Sequence, residues 1–168
     1  MSIFLETQRL LIKAPTPADF NHWCAVHADT DLNPISKDVI KTWLDYHIKD
    51  YKKNGFSMGS VYLKNTNTFI GRAGLFYYIH PDGSKPDVEM GYVLHKAYWN
   101  QGYATELAHA LIHWGFTHLN IDKLIALTRE DNNQSKRVLE KVGMHYVKKI
   151  RSEGDDFLLY EVLKHPNG

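Results

Sequence analysis

One cysteine, Cys24, stands among the 168 residues. No disulfide can close within the chain, so a reducing compartment is the natural expectation. An excess of one charge sign is missing too: the formal net charge is +1, and Lys and Arg cluster only in pairs such as Lys52-Lys53 and Lys148-Lys149. Binding through phosphate neutralisation needs a concentrated basic face, so no nucleic-acid partner is expected. No window approaches the roughly 18 consecutive apolar residues of a membrane span. The opening run Met1-Ser2-Ile3-Phe4-Leu5-Glu6 has neither the basic stretch nor the apolar core of a signal peptide. The expectation is a cytoplasmic chain with no membrane partner. Neither Gly-x-Gly-x-x-Gly nor a loop ending in Gly-Lys-Ser/Thr occurs, which disfavours a dinucleotide oxidoreductase and an NTPase. His109 and His113 have the spacing of two metal ligands on a helix. The glutamate of H-E-x-x-H and a third ligand at a usual interval are both lacking, so no metal is expected. Cys24 lies in Trp23-Cys24-Ala25-Val26 without a basic neighbour and reads as a buried structural thiol.

The chain is 43% apolar and 23% charged, the balance of a folded globular protein. No repeat, low-complexity tract or linker divides it, so residues 1–168 read as a single domain. Leu10-Leu11-Ile12 predicts a strand stopped by Pro15 and Pro17. Phe20, Trp23 and Val26 recur at helical spacing over 19–28. Ile40, Trp43, Leu44, Ile48 and Tyr51 do so from about Lys37 to a stop at Asn54-Gly55. Strands are predicted over 56–63, 69–79 and 88–94, with turns at Asn65-Thr66-Asn67 and Pro81-Asp82-Gly83-Ser84. A helix over 100–118 leads to the continuously apolar Leu124-Ile125-Ala126-Leu127, as in a central strand buried on both faces. A helix over 132–142 stops at Gly143, and strands over 145–150 and 157–163 close the chain. The order β-α-α-β-β-β-α-β-α-β-β predicts an α+β fold: a mixed, mostly antiparallel sheet of about seven strands with helices on both faces.

Chemistry concentrates after the third of those central strands. Gly91-Tyr92-Val93-Leu94 runs through a short loop into Gln101-Gly102-Tyr103-Ala104, which opens a helix. Glycine lets a backbone approach an anion closely, and the first free N–H groups with the positive end of the helix dipole supply donors. A glycine at a helix start is equally common as a purely structural feature.

The stretches Glu89 to Leu94 and Tyr98-Trp99-Asn100-Gln101-Gly102-Tyr103-Ala104-Thr105-Glu106 resemble the core of the GCN5-related N-acetyltransferases. Leu5 to Ile12 and Asn132 to Met144 are similar to the opening strand and the second cofactor helix of the ribosomal-protein N-terminal alanine/serine group within that family. The resemblance runs through essentially the whole chain in order. It implies a splayed mixed sheet that takes acetyl-CoA as co-substrate. Tyr92, Val93 and Leu94 would offer backbone groups to the pantetheine arm. Trp99, Asn100, Gln101, Gly102, Tyr103, Ala104 and Thr105 would wrap the pyrophosphate. Trp99 stands where the family signature has Gln or Arg, and its other reading is packing. Glu89 matches the family's general base; it shares a face with Gly91 and Val93, and its other reading is a half-exposed strand carboxylate. The family's acid is a tyrosine at the position of Leu139, which cannot donate a proton. Ser135, one turn earlier, is the polar candidate, and Asn132 is a candidate pantetheine contact. Both read equally as residues of a helix first turn.

The implied activity is direct acetyl transfer to a primary amine, either a protein N-terminus or a small molecule. The alternative is a non-catalytic acetyl-CoA-binding regulator, which the missing tyrosine at Leu139 keeps open. Trp43, Tyr46 and Tyr51 would wall the acceptor site, and Tyr77, Tyr78 and His80 would line the same groove. A monomer and a homodimer are both compatible with the sequence.

Overall fold

Period-two patterning ahead of period-3.6 patterning predicts strands feeding helices, and the computed structural model, which describes residues 2–31 and 34–166, has that order. The strands β1 (Ile3–Glu6) and β2 (Leu10–Lys13) are followed by a 3-10 turn (Pro17–Asp19), then α1 (Phe20–Thr30) and α2 (Lys37–Asn54). Next come β3 (Met58–Leu63), β4 (Phe69–Tyr78), β5 (Asp87–Leu94) and a second 3-10 turn (Lys96–Tyr98). The chain ends in α3 (Tyr103–His118), β6 (Lys123–Thr128), α4 (Asn133–Lys141), β7 (His145–Ser152) and β8 (Asp155–Leu163). The strands form one sheet in the order β1-β2-β3-β4-β5-β6-β8-β7. Its pairs are antiparallel except β5 with β6, which α3 joins as a crossover.

The sheet has one strand more than the pattern predicts, because Leu5 to Ile12 is a hairpin rather than a single strand. Thr7 makes the turn: its hydroxyl accepts the Leu10 N–H at 3.0 Å, and its own N–H donates to the Leu10 carbonyl at 2.9 Å. Met1, the first residue of the opening run read for a signal peptide, lies outside the described residues.

Local chemistry sets the helix limits. Ser36 caps α2 by accepting the Val39 N–H at 3.2 Å, and Gly55 ends it at φ 81°, where a side chain would be strained. The helix predicted from Asn100 begins only at Tyr103, because Asn100 (φ 60°) and Gly102 (φ 82°) are left-handed. Two layers of core follow. Leu107, Leu111 and Leu139 from α3 and α4 pack with Val88, Met90 and Leu124 on one side of the sheet. Trp23, Ile40 and Leu44 from α1 and α2 pack with Met58 on the other. Leu139, the position where the resemblance places a tyrosine, is 1% exposed and belongs to that core.

Close strand approach constrains β4 at Gly74, where a Cβ would overlap the Ser57 carbonyl oxygen and lie 2.7 Å from the Met58 Cα. Overpacking of this kind costs about 1–3 kcal/mol. Gly74→Ala is therefore expected to lower the melting temperature by about 2 °C or more; an unchanged melting temperature would contradict this packing.

Candidate active site

Parallel strands β5 and β6 are in register at one pair only, Glu89 with Ile125. On its other edge β5 is fully laddered to β4, from Leu94 opposite Gly71 to Asp87 opposite Tyr78. The His95 N–H donates to the Ile70 carbonyl at 2.8 Å, which makes that pair a hydrogen-bonded one. Bonded and non-bonded pairs alternate along an antiparallel ladder. Val93 with Arg72, Gly91 with Gly74 and Glu89 with Phe76 are then the bonded pairs, and the backbone groups of Tyr92 and Leu94 turn towards β6. The Leu94 carbonyl accepts the Trp99 indole N–H at 2.8 Å. The Leu94 N–H and both groups of Tyr92 remain to face the gap where β6 departs. Val93, expected to offer backbone groups here, instead commits them to β4.

The start of α3 lies at the end of β5. Gly102 is its N-cap and supplies no side chain, so the amides of Tyr103, Ala104 and Thr105 have no side-chain cap at the positive end of a 16-residue helix. Arg9, from the hairpin turn, holds this loop from behind. Its Nη1 donates to the Gln101 carbonyl at 3.1 Å, its Nε to Glu106 at 2.7 Å, and its guanidinium lies 4.2 Å from the Tyr103 ring centroid. Burial acts to raise the Glu106 carboxyl, but hydrogen bonds from Thr7 and Arg9 outweigh it and hold the group below its ordinary range. Within the loop, Gln101 donates to the Ala97 carbonyl at 2.8 Å, and Asn100 accepts from Gln134 of α4 at 3.1 Å. Asp29 of α1 braces the loop's near end, accepting the Lys96 N–H at 2.8 Å and meeting His95 Nδ1 at 3.0 Å.

Helix α4 closes the far side of the gap. Asn132 caps it by accepting the Ser135 N–H at 3.1 Å. The Ser135 hydroxyl lies 3.1 Å from that of Tyr92, whose phenol burial pushes up while the Ser135 bond partly offsets it. The side chain of Tyr92 thus meets the residue expected to act as acid.

Glu89 shares its sheet face with Gly91 and Val93 and, across the ladder, with Phe76, Gly74 and Arg72. This is the face that α1 and α2 cover. Burial, reinforced by the negative charge of Glu153 in the β7–β8 turn, pushes the Glu89 carboxyl up to about 8.

The other expected residues divide. Trp43 lies beside Arg72 on this face, whereas Tyr51 packs edge-on against Phe4 and Tyr77 against Phe56. Tyr46 and Tyr77 flank a shallow cavity of about 320 Å³ with Asp50 and Pro86. Tyr78 packs on His80, which bonds Asp87 at 2.7 Å and is turned to the strand end. Cys24 is partly buried and unpaired. Among the described residues no three His, Cys, Asp or Glu side chains gather as metal ligands, so His109 and His113 gain no third partner. Arg9, Asp29 and Arg72 were not legible as site residues. Each acts on a segment far away in sequence, and no local spacing marks it.

Residues 9–145 match the family described as "Acetyltransferase (GNAT) domain". The chain is 29% identical over 161 residues to YnaD of Bacillus subtilis (strain 168), an uncharacterized N-acetyltransferase, with 91% of each chain covered. The fold is shared with an acetyltransferase from Agrobacterium tumefaciens (TM-score 0.82, 24% identity, 98% and 95% of the two chains covered). It is shared as well with RimL, a ribosomal L7/L12 alpha-N-protein acetyltransferase in complex with coenzyme A (TM-score 0.74, 16% identity, 96% and 98% covered).

An unfolded glutamate titrates near about 4.3. The folded chain therefore keeps a proton on Glu89 that the unfolded chain releases, and the associated stability, complete below about 4.3, is lost as pH rises through about 8. The melting temperature of Glu89→Gln relative to the parent is expected to climb from about pH 5 to about pH 8 and then to level off. A difference that does not change with pH would contradict the buried carboxyl.

Proposed function

The chain belongs to the acetyltransferase (GNAT) family, and we propose that it moves an acetyl group from acetyl-CoA directly to a primary amine. The observation that carries the reading is the gap beside β5, where the Tyr92 and Leu94 backbone groups face the departing β6 next to the uncapped start of α3. An extended amide-bearing arm finds strand-like partners in such a gap, and a pyrophosphate finds N–H donors at such a helix start. The residues present fit both halves of the same co-substrate, which supplies the thioester.

The amides of Gly102, Tyr103, Ala104 and Thr105 hold the pyrophosphate, and Asn100 and Gln101 shape the loop around it. Trp99 acts as a brace through its bond to the Leu94 carbonyl rather than as a ligand. The Tyr92 backbone groups hold the arm, and Asn132, whose side-chain oxygen is spent on its cap, leaves only its amide nitrogen for that task. The Leu94 N–H polarises the thioester carbonyl, the part played by an oxyanion-hole donor.

In the transfer, the amine nitrogen bonds the acetyl carbon, the C–S bond breaks, the amine gives up a proton and the thiolate takes one. Glu89 in its carboxylate form accepts the amine proton, directly or through water. The thiolate takes a proton from solvent, relayed through the Ser135 hydroxyl and the Tyr92 phenol 3.1 Å from it. Glu89 returns the amine proton to solvent, so both residues end as they began. An N-terminal α-amino group, at about 8, is unprotonated near neutrality far more often than a lysine at about 10.4. That favours a peptide N-terminus or a small-molecule amine of similar basicity.

Incubation with acetyl-CoA and a panel of primary amines, read by thiol release, is expected to show acceleration by at least one amine. Binding of acetyl-CoA without acceleration would instead support the binding-regulator reading. Glu89→Gln is expected to lower kcat/KM by about 10²- to 10⁴-fold, and an unchanged rate would remove Glu89 from the chemistry. For the parent, kcat/KM is expected to rise with pH through about 8. Glu153→Gln, which removes a like charge, is expected to move that rise to lower pH. A rise that stays in place would assign it to the amine alone.

A further inference from the structure

Arg72 sits opposite Val93, beside the end of β5 where the reaction is placed, on the face that α1 and α2 cover. Its guanidinium carbon lies 4.5 Å from the Trp23 ring centroid and 5.3 Å from that of Trp43. Its Nε and Nη1 are sealed from solvent with no hydrogen-bond partner among the described residues, yet the residue as a whole is partly exposed. The nearby carboxylate, Asp31, acts on it through space only, because its Oδ2 is bonded to His27 Nδ1 at 2.8 Å.

Beyond the through-space pull of Asp31, the surroundings do not offset that charge. Burial pushes the His47 imidazole down to about 3, with the Arg72 charge adding to the effect, so His47 is neutral. Burial and then the Arg72 charge lower His27 as well, against the pull of Asp31. His47 Nδ1 and His27 Nε2 are themselves buried without partners among the described residues. Two indole faces attract a cation but do not accept its in-plane N–H bonds. A guanidinium with two sealed and unmet nitrogens is rare in native proteins unless water or a ligand completes it. The same sheet face carries Glu89, and the row between is made by Gly74 and Gly91, with the Phe76 ring and the Met58 sulfur over Gly91.

We propose that Arg72 is the anion-holding residue of the acceptor site, so that the amine acetylated by this chain also carries a carboxylate. This rests on the acetyl-transfer reading above and narrows its acceptor class. Arginine is suited to the task because it presents a planar fork matched to a carboxylate and stacks on aromatic rings.

The test compares amino acids with their C-terminal amides as acceptors, with acetyl-CoA and the full chain. An amide has the more readily deprotonated amine, so chemistry alone favours it. A preference for the acid by about 10- to 100-fold in kcat/KM is expected, the worth of a charge-assisted bond. Arg72→Gln is expected to bring that acid-to-amide ratio to one or below, mainly through KM for the acid, and Arg72→Lys to restore part of the preference. Amides or polyamines that match the acids in the parent, or a ratio unmoved by Arg72→Gln, would overturn the proposal. A phosphate-bearing amine that outperforms every carboxylate would overturn the carboxylate assignment.

Should Arg72→Gln not fold, inhibition of the parent decides. A deaminated acid competing with the acceptor, where its amide does not, supports the proposal, and equal inhibition overturns it. If no amine accelerates thiol release, the transfer reading fails by itself. Calorimetric titration of the deaminated acid then judges Arg72 separately: saturable binding weakened in Arg72→Lys supports the anion site, and no binding, or binding unchanged in that variant, overturns it.

Discussion

Two parallel strands that part after a single register pair leave backbone groups that must find partners elsewhere. In this chain those groups belong to Tyr92 and Leu94, and most of the surrounding structure serves to keep them in place. The unbroken β4 ladder fixes the other edge of β5 and decides, by alternation, which amides point outwards. Trp99 ties the strand end to the loop that follows, and Arg9 and Asp29 hold that loop from the hairpin and from α1. Helix α4 meets the same gap through Gln134 and Ser135. Four separated segments thus converge on one strand end, a convergence that no single motif contains.

Sequence pattern carried the fold a long way. The helix stops at Gly55 and Gly143, the buried run Leu124 to Leu127 and the element order were all legible, because each has a local physical cause. Two features were not. The hairpin at Thr7 reads as one strand because its turn rests on side-chain bonds rather than on glycine or proline. The start of α3 shifts to Tyr103 because left-handed Asn100 and Gly102 come first, and a left-handed asparagine leaves little trace in a sequence.

The site was legible where it is contiguous, from Trp99 to Thr105, and opaque where it is not. Parity placed Glu89, Gly91 and Val93 on one face, but only the ladder shows that Val93 turns its amide away. The roles of Arg9, Asp29 and Arg72 depend on contacts 66 or more residues apart, or on strand pairing. Tyr92 is the instructive case. It was singled out for its backbone, and its hydroxyl reaches Ser135 as well. Leu139, by contrast, is simply core, so proton supply to the thiolate must come from elsewhere than its position.

The two faces of β5 divide the labour. In the proposed reading the co-substrate takes the edge and the α3–α4 side, while Glu89 and Arg72 would serve the acceptor from the α1–α2 side, among histidines that burial shifts towards the neutral form. Amide hydrogen exchange with and without acetyl-CoA tests this arrangement most directly. The account predicts new protection at Tyr92, Leu94 and Gly102 to Thr105, with Val93 already protected in the free protein. Protection spread evenly along β5, or absent from Tyr92 and Leu94, would contradict it.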